Sequence, residues 1–179
     1  MSIVLKDNEI MFAKIRETAI VPTKKLEDAG YDFYANFEED YFVIEPHATR
    51  AVPTGIACAF SSRYYAQVEE RSSTGKIGMK KSSGVMDSGY RGEYLIMTYN
   101  TNDIPLVISK IAADEMTEEF EVNGKIYKKS EVIVYPYTKA VCQVVLHEVP
   151  ALEEKEISYE ELLSIKSERG TGAFGHSGK

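Results

Sequence analysis

Gly84-Val85-Met86-Asp87-Ser88-Gly89-Tyr90-Arg91-Gly92-Glu93, running on as Tyr94-Leu95-Ile96-Met97-Thr98-Tyr99-Asn100, is the stretch from which the fold is read. Its second half is dominated by β-formers. Tyr94, Ile96 and Thr98 fall on one face of an extended strand, and Leu95, Met97 and Tyr99 on the other. Its first half is turn material, Asp-Ser-Gly followed by Arg-Gly. The pattern predicts a tight turn between two strands that carries a carboxylate, Asp87, and an aromatic ring, Tyr90. An Asp beside Gly is usually only a turn former, so the other stretches decide what this one means.

Working outward, Ala13 to Arg16 predicts a short edge strand, and Asp28-Ala29-Gly30-Tyr31-Asp32-Phe33-Tyr34-Ala35 a turn entering a strand. Phe42-Val43-Ile44-Glu45-Pro46 is a strand stopped by proline, and Arg50 to Phe60 holds two strand pieces around Pro53-Thr54-Gly55. Tyr64 to Glu69 alternates and leads into Arg71-Ser72-Ser73-Thr74, where the serines are candidate N-caps beside a cation suited to an anion. Asn123-Gly124 between alternating apolar residues signals a hairpin. Gln143 is the one polar residue of the run Val141 to Leu146, so it is a satisfied core residue or faces a site. Ser158-Tyr159-Glu160-Glu161 fits a capping box opening one short helix. Many short strands and little helical periodicity predict an all-β barrel or sandwich.

The totals narrow the class. A chain of 179 residues, 44% hydrophobic and 27% charged, suits one soluble domain with a real core. No apolar run approaches the roughly 18 residues that span a bilayer. The first twenty residues are broken by charges and do not read as a signal peptide. Cys58 and Cys142 sit in apolar runs with no metal-binding spacing and read as buried thiols of a cytoplasmic protein. A net charge of −7 argues against direct DNA binding, so an anionic ligand needs local cations or a metal ion. The end, Arg169-Gly170-Thr171-Gly172-Ala173-Phe174-Gly175-His176-Ser177-Gly178-Lys179, is costly to order without a ligand. It lacks the spacing of a P-loop.

Five of these segments resemble, in order, the five motifs of the homotrimeric dUTP pyrophosphatases (dUTPases). Ala29 to Ala35 is similar to the first, Arg71-Ser72-Ser73 to the second, Gly84 to Gly92 to the third, Ala140 to Gln143 weakly to the fourth, and Arg169 to Gly178 closely to the fifth. There are departures: Lys139 is displaced from the fourth motif's basic position, Lys81 stands where some members have Asn, and Ala173 replaces a tail Gly. An insert at about 109–130 resembles those of bacteriophage members.

The resemblance implies a distorted jelly-roll assembling as a homotrimer, with a dUTPase domain over 1–164 and a flexible glycine-rich arm over 165–179. It implies hydrolysis of dUTP to dUMP and pyrophosphate, with Mg²⁺ carried by substrate phosphates and water and no protein metal ligand. Asp87 would be the general base, and Asp32 would hold the metal's water shell or a phosphate-facing Arg. Arg71, Ser72, Ser73 and Gln143 would contact phosphates. The backbone of Ser83, Gly84, Val85 and Met86 would read the uracil edge, and Tyr90 would pack under the sugar. From the tail, Arg169 and Ser177 would close on the γ end and Phe174 would stack on the base, flanked by Gly175 and His176. The insert carries no motif residue, so it is expected to be dispensable for chemistry and open to a protein partner. The location implied is cytoplasmic, in a bacterial host if the gene is a phage's, with no membrane. Two rivals are a dCTP deaminase, which would need a Glu in the hairpin, and a regulatory binding module acting through the insert.

Overall fold

The computed structural model describes residues 3–172; the expectations for Phe174, Gly175, His176 and Ser177 lie outside them. In chain order the strands are β1 Ile10–Lys14, β2 Gly30–Phe33, β3 Tyr41–Ile44, β4 Thr49–Val52, β5 Ile56–Phe60 and β6 Tyr64–Glu69. A short helix α1, Ser72–Lys76, precedes β7 Met79–Lys81, β8 Val85–Met86 and β9 Ile96–Asn100. Then come β10 Leu106–Ser109, β11 Glu119–Val122, β12 Lys125–Lys128, β13 Ile133–Pro136 and β14 Cys142–Glu148, and last the helix α2, Tyr159–Ser164.

The chain divides into two units at Val149/Pro150. In the first unit the strands form sheets of order β2-β14-β6-β8, β4-β9-β7 and β13-β10-β3, with β1-β5 and β11-β12 as pairs. All pairings are antiparallel except β10 with β13. The second unit contains α2. There Glu161 N donates to Ser158 Oγ at 3.2 Å and Ser158 N to Glu161 Oε2 at 2.8 Å, which is the capping box read from the sequence.

Alternation builds the core. On β5, Ile56, Cys58 and Phe60 point inward while Ala57 and Ala59 are half-buried. Along the deciding stretch Tyr94, Ile96 and Thr98 are buried, whereas Leu95 and Met97 are exposed. Ile56, Cys58, Phe60, Tyr94 and Ile96 join Phe33, Ile44, Val52, Met79, Val141 and Val144 in one continuous core. Burial pushes the thiols of Cys58 and Cys142 up to about 12, so both are protonated and inert at neutral pH.

Two local expectations are corrected. The first strand lies at Ile10–Lys14, not Ala13 to Arg16, because Arg16 turns away to bond Asn36 through Nε at 2.7 Å. The helix after β6 is capped by Arg71, so Ser72 and Ser73 are its first residues and not its caps.

The insert builds a second, smaller core. Met116, Phe120 and Tyr127 cover Val43 and Val107, the outward faces of β3 and β10. Asn123 and Gly124 have φ of 53° and 80°, the left-handed pair that a two-residue hairpin needs. Lys125 Nζ at 2.7 Å and Tyr127 Oη at 2.5 Å both donate to Glu45, tying the hairpin to the end of β3. Replacing residues 111–130 with a Gly-Ser link therefore uncovers two buried valines, each worth about 1.5–3 kcal/mol of burial. At roughly 2–4 °C per kcal/mol, the linked variant should melt at least about 5 °C lower by circular dichroism. An unchanged melting temperature would show that the second core adds nothing to the domain.

Candidate functional site

The sheet β2-β14-β6-β8 carries the site. Register places Asp32 of β2 opposite Gln143 of β14, and Gln143 opposite Glu69 of β6. The chain leaving β6 then delivers Arg71 beside Asp32. Arg71 Nε lies 3.0 Å from Asp32 Oδ1, and a terminal nitrogen donates to Oδ2 at 3.2 Å, a two-point pair. Gln143 Nε2 donates to the Glu70 carbonyl at 3.1 Å, so this polar residue is both satisfied and turned to the site.

Together these groups line an open cavity of about 420 Å³ with Ser72, Ser73, Asp28, Ala29 and Gly30. The exposed hydroxyls of Ser72 and Ser73, the Arg71 guanidinium and the Gln143 amide give it the donors that phosphate oxygens require. Gly30 is needed for space: a Cβ there would meet Gln143 Cβ and Val145 Cγ2 at 3.1 Å. Asp28, just before the stretch that resembles the first motif, is not among the expected site residues. It stands on the cavity wall, and one of its carboxylate oxygens accepts from Lys25 N at 3.0 Å. With Asp32 committed to Arg71, the Asp28 carboxylate, the two hydroxyls and the Gln143 amide oxygen are what this wall can offer to the water shell of a hard cation. Among the described residues no cluster of three or more His, Cys, Asp or Glu forms a metal site.

At the far edge of the same sheet β8 pairs with β6, Ala66 opposite Met86 and Gln67 opposite Val85. Gly84, at φ 65°, lets the chain turn so that its carbonyl accepts from Val68 N at 3.2 Å. Ser83 Oγ accepts from Met97 N at 2.7 Å, closing the root of the hairpin. Asp87 heads the turn, its carbonyl accepting from Tyr90 N at 3.1 Å, and its side chain is exposed. Val85, Met86, Asp87, Tyr90, Glu93 and Leu95 line a second cavity of about 190 Å³. Within one chain the predicted residues thus fall into two groups: Asp32, Arg71, Ser72, Ser73 and Gln143 on one cavity, and Val85, Met86, Asp87 and Tyr90 on another. In the second unit, Arg169 Nε donates to Gly172 O at 2.7 Å.

Lys81, on β7 at the hairpin's root, is a residue whose burial the sequence does not announce. Its backbone N donates to Glu70 Oε1 at 3.0 Å, and its ammonium reaches the Met79 carbonyl at 3.3 Å. Burial pushes that ammonium from 10.5 down to about 8, against the opposing pull of Cys142 and Glu70. The folded state therefore sheds this proton before the unfolded chain does, and stability rises as pH climbs from about 8 toward 10.5. Lys81→Met should be more stable than the parent at pH 7, with the advantage shrinking by pH 10. Melting curves across that range check it, because Cys58, Cys142 and Tyr94, all raised by burial in the folded state, titrate in the unfolded chain of both proteins and largely cancel. A pH-independent difference would place the ammonium in water.

Residues 16–112 match the family model for dUTPase. The deoxyuridine 5'-triphosphate nucleotidohydrolase of Gloeobacter violaceus is 32% identical over 154 residues, which cover 84% of this chain and 83% of that protein. Among solved structures, the dUTPase of Staphylococcus bacteriophage 80alpha with dUpNHpp superposes with a TM-score of 0.69 at 23% identity, over 96% of this chain and 99% of that one. A mutant dUTPase from phage phi11 of S. aureus, described with a structural Mg(II) ion, gives 0.62 at 21% identity, over 86% and 99%. The fold shared with these structures is the dUTPase jelly-roll.

Proposed function

The chain belongs to the dUTPase family, and on that premise we propose that it hydrolyses dUTP to dUMP and pyrophosphate. The observation that carries this reading is the two-point Arg71–Asp32 pair, which shares a donor-rich cavity with Gln143 while the Asp87 turn stands on the same sheet. A water oxygen attacks the α-phosphorus, the bond to the α–β bridging oxygen breaks, and pyrophosphate leaves. Asp87 accepts the water's proton, a role worth about 10²–10⁴ in rate. Arg71, Ser72, Ser73 and Gln143 hold the phosphates, and Asp32 keeps the guanidinium aimed at them. The backbone from Ser83 to Met86 reads the uracil edge, and Tyr90 packs under the deoxyribose.

Mg²⁺ on the triphosphate would offset substrate charge in a chain of net −7, with Asp28 and Asp32 facing its water shell. The two cavities of one chain become one site in a homotrimer, where each subunit completes its neighbour's. The exposed apolar residues Leu95 and Met97 on the outer face of the β9 stretch suit such packing. On the resemblance to the family's fifth motif we assign Arg169 and Ser177 to the γ-phosphate and Phe174, with Gly175 and His176, to the base. The insert's hairpin tip, where Ile126 is 65% exposed, is the surface offered to a protein partner. We assign the enzyme to the cytoplasm, of a bacterial host if phage-encoded; no helix among the described residues is long and apolar enough to cross a membrane.

Incubation with dUTP, dCTP, dTTP and UTP, with and without Mg²⁺, tests the reading. Pyrophosphate from dUTP alone is expected. Ammonia from dCTP would assign a deaminase, and no turnover of any nucleotide would leave a binding module.

A further inference from the structure

Tyr90 is 44% exposed, so a few contacts must fix its ring. Its hydroxyl donates to the Glu93 carbonyl at 3.1 Å, and its ring centroid lies 6.2 Å from that of Tyr94. Glu93 is itself tied to two other segments. Its carboxylate accepts from Gly55 N at 2.7 Å and Thr54 N at 3.1 Å, and it pairs with Arg16. The carbonyl that receives the tyrosine hydroxyl therefore belongs to a well-anchored residue.

Against the ring lies Gly92. A Cβ at this position would stand 2.5 Å from Tyr90 Cζ and 2.9 Å from Cε2, and closer still to the hydroxyl. The glycines with positive φ are Gly55, Gly78, Gly84, Gly124 and Gly170, so Gly92 adopts a backbone conformation open to other residues. Space beside the Tyr90 ring, and not backbone strain, is what requires glycine here.

We propose that Gly92 is a positioning residue: its bare Cα seats the Tyr90 ring, and that seat sets the preference for deoxyribose over ribose. This rests on the reading of Tyr90 as the surface under the sugar. A methyl group on residue 92 displaces the ring and its hydroxyl bond together, and a displaced ring no longer closes the space that a 2′-hydroxyl would occupy.

The test is a double-mutant cycle on the full-length protein, with kcat/KM for dUTP and UTP and a melting curve for each variant. Tyr90→Ala examines the premise: an unchanged UTP-to-dUTP ratio removes Tyr90 from sugar selection and takes this proposal with it. If that ratio shifts, Gly92→Ala in the parent should raise it about tenfold, within the range of coupling between touching residues. In the Tyr90→Ala background the same change should move it less than about twofold. No shift in the parent, or equal shifts in both backgrounds, overturns the role of Gly92 and leaves that of Tyr90 standing. If Gly92→Ala alone fails to fold, the double variant decides. The three atoms nearest the added Cβ all belong to Tyr90, so the double variant should melt with Tyr90→Ala. A double variant as unstable as the single one overturns the proposal.

Discussion

Asp87→Asn should lower kcat for dUTP by about 10²-fold or more while leaving the fold and nucleotide binding in place. The turn is held by the backbone bond from Tyr90 N to the Asp87 carbonyl, and its root by Ser83 Oγ and the Gly84 carbonyl, none of which the change touches. Asn serves in a turn as well as Asp does. The side chain is exposed, so the stability change should stay within about 0.5 kcal/mol. What disappears is the proton acceptor. Losing a negative charge near the triphosphate should also leave affinity for a non-hydrolysable analogue equal or tighter. Single-turnover rates, with calorimetric binding of an α,β-imido analogue, separate the two effects. A kcat near that of the parent would remove Asp87 as the base.

How much of this was legible beforehand depends on how local each feature is. The alternation of Tyr94, Ile96 and Thr98 against Leu95 and Met97 settles which face of the strand is buried, because that periodicity is a property of the strand itself. Asn123-Gly124 and Ser158-Tyr159-Glu160-Glu161 are likewise complete within four or fewer residues, and both form as read. The end of the first strand was misplaced because Arg16 answers to Asn36 and Glu93, far along the chain. The cap at Arg71 was misassigned because serine propensity is a weak prior beside the strand that delivers the residue. The second core escaped notice since Met116 and Phe120 are spaced among acids and Tyr127 among lysines, with no clean period. Lys81 and Gly92 are defined only by what lies against them, and no spacing rule registers a neighbour in space. The strand order β2-β14-β6-β8 joins four separated segments. The phosphate cavity is therefore a tertiary product, even though its residues were named one motif at a time.

Arg71→Ala should have the second large effect, a loss of about 10- to 150-fold in kcat/KM for dUTP, corresponding to about 1.5–3 kcal/mol for a hydrogen bond to a charged group. The change also leaves Asp32 without its partner. That carboxylate side chain is 32% exposed, so water relieves part of the penalty and the protein should fold with a lowered melting temperature. Stability and function can then be pulled apart. Adding Asp32→Asn removes the orphaned charge, so the double variant should regain most of the melting temperature without regaining kcat/KM. Arg71→Lys keeps the charge and loses the planar fork that meets both Asp32 oxygens at 3.0 and 3.2 Å. It should fall between parent and Arg71→Ala, with the larger share of its loss in KM. The salt dependence of KM should be shallower in Arg71→Ala, since one cation no longer meets the triphosphate. If Arg71→Ala turned over dUTP with unchanged kcat/KM, the pair would be a structural brace across β14 from β2 to the end of β6, and the phosphates would have to be held elsewhere.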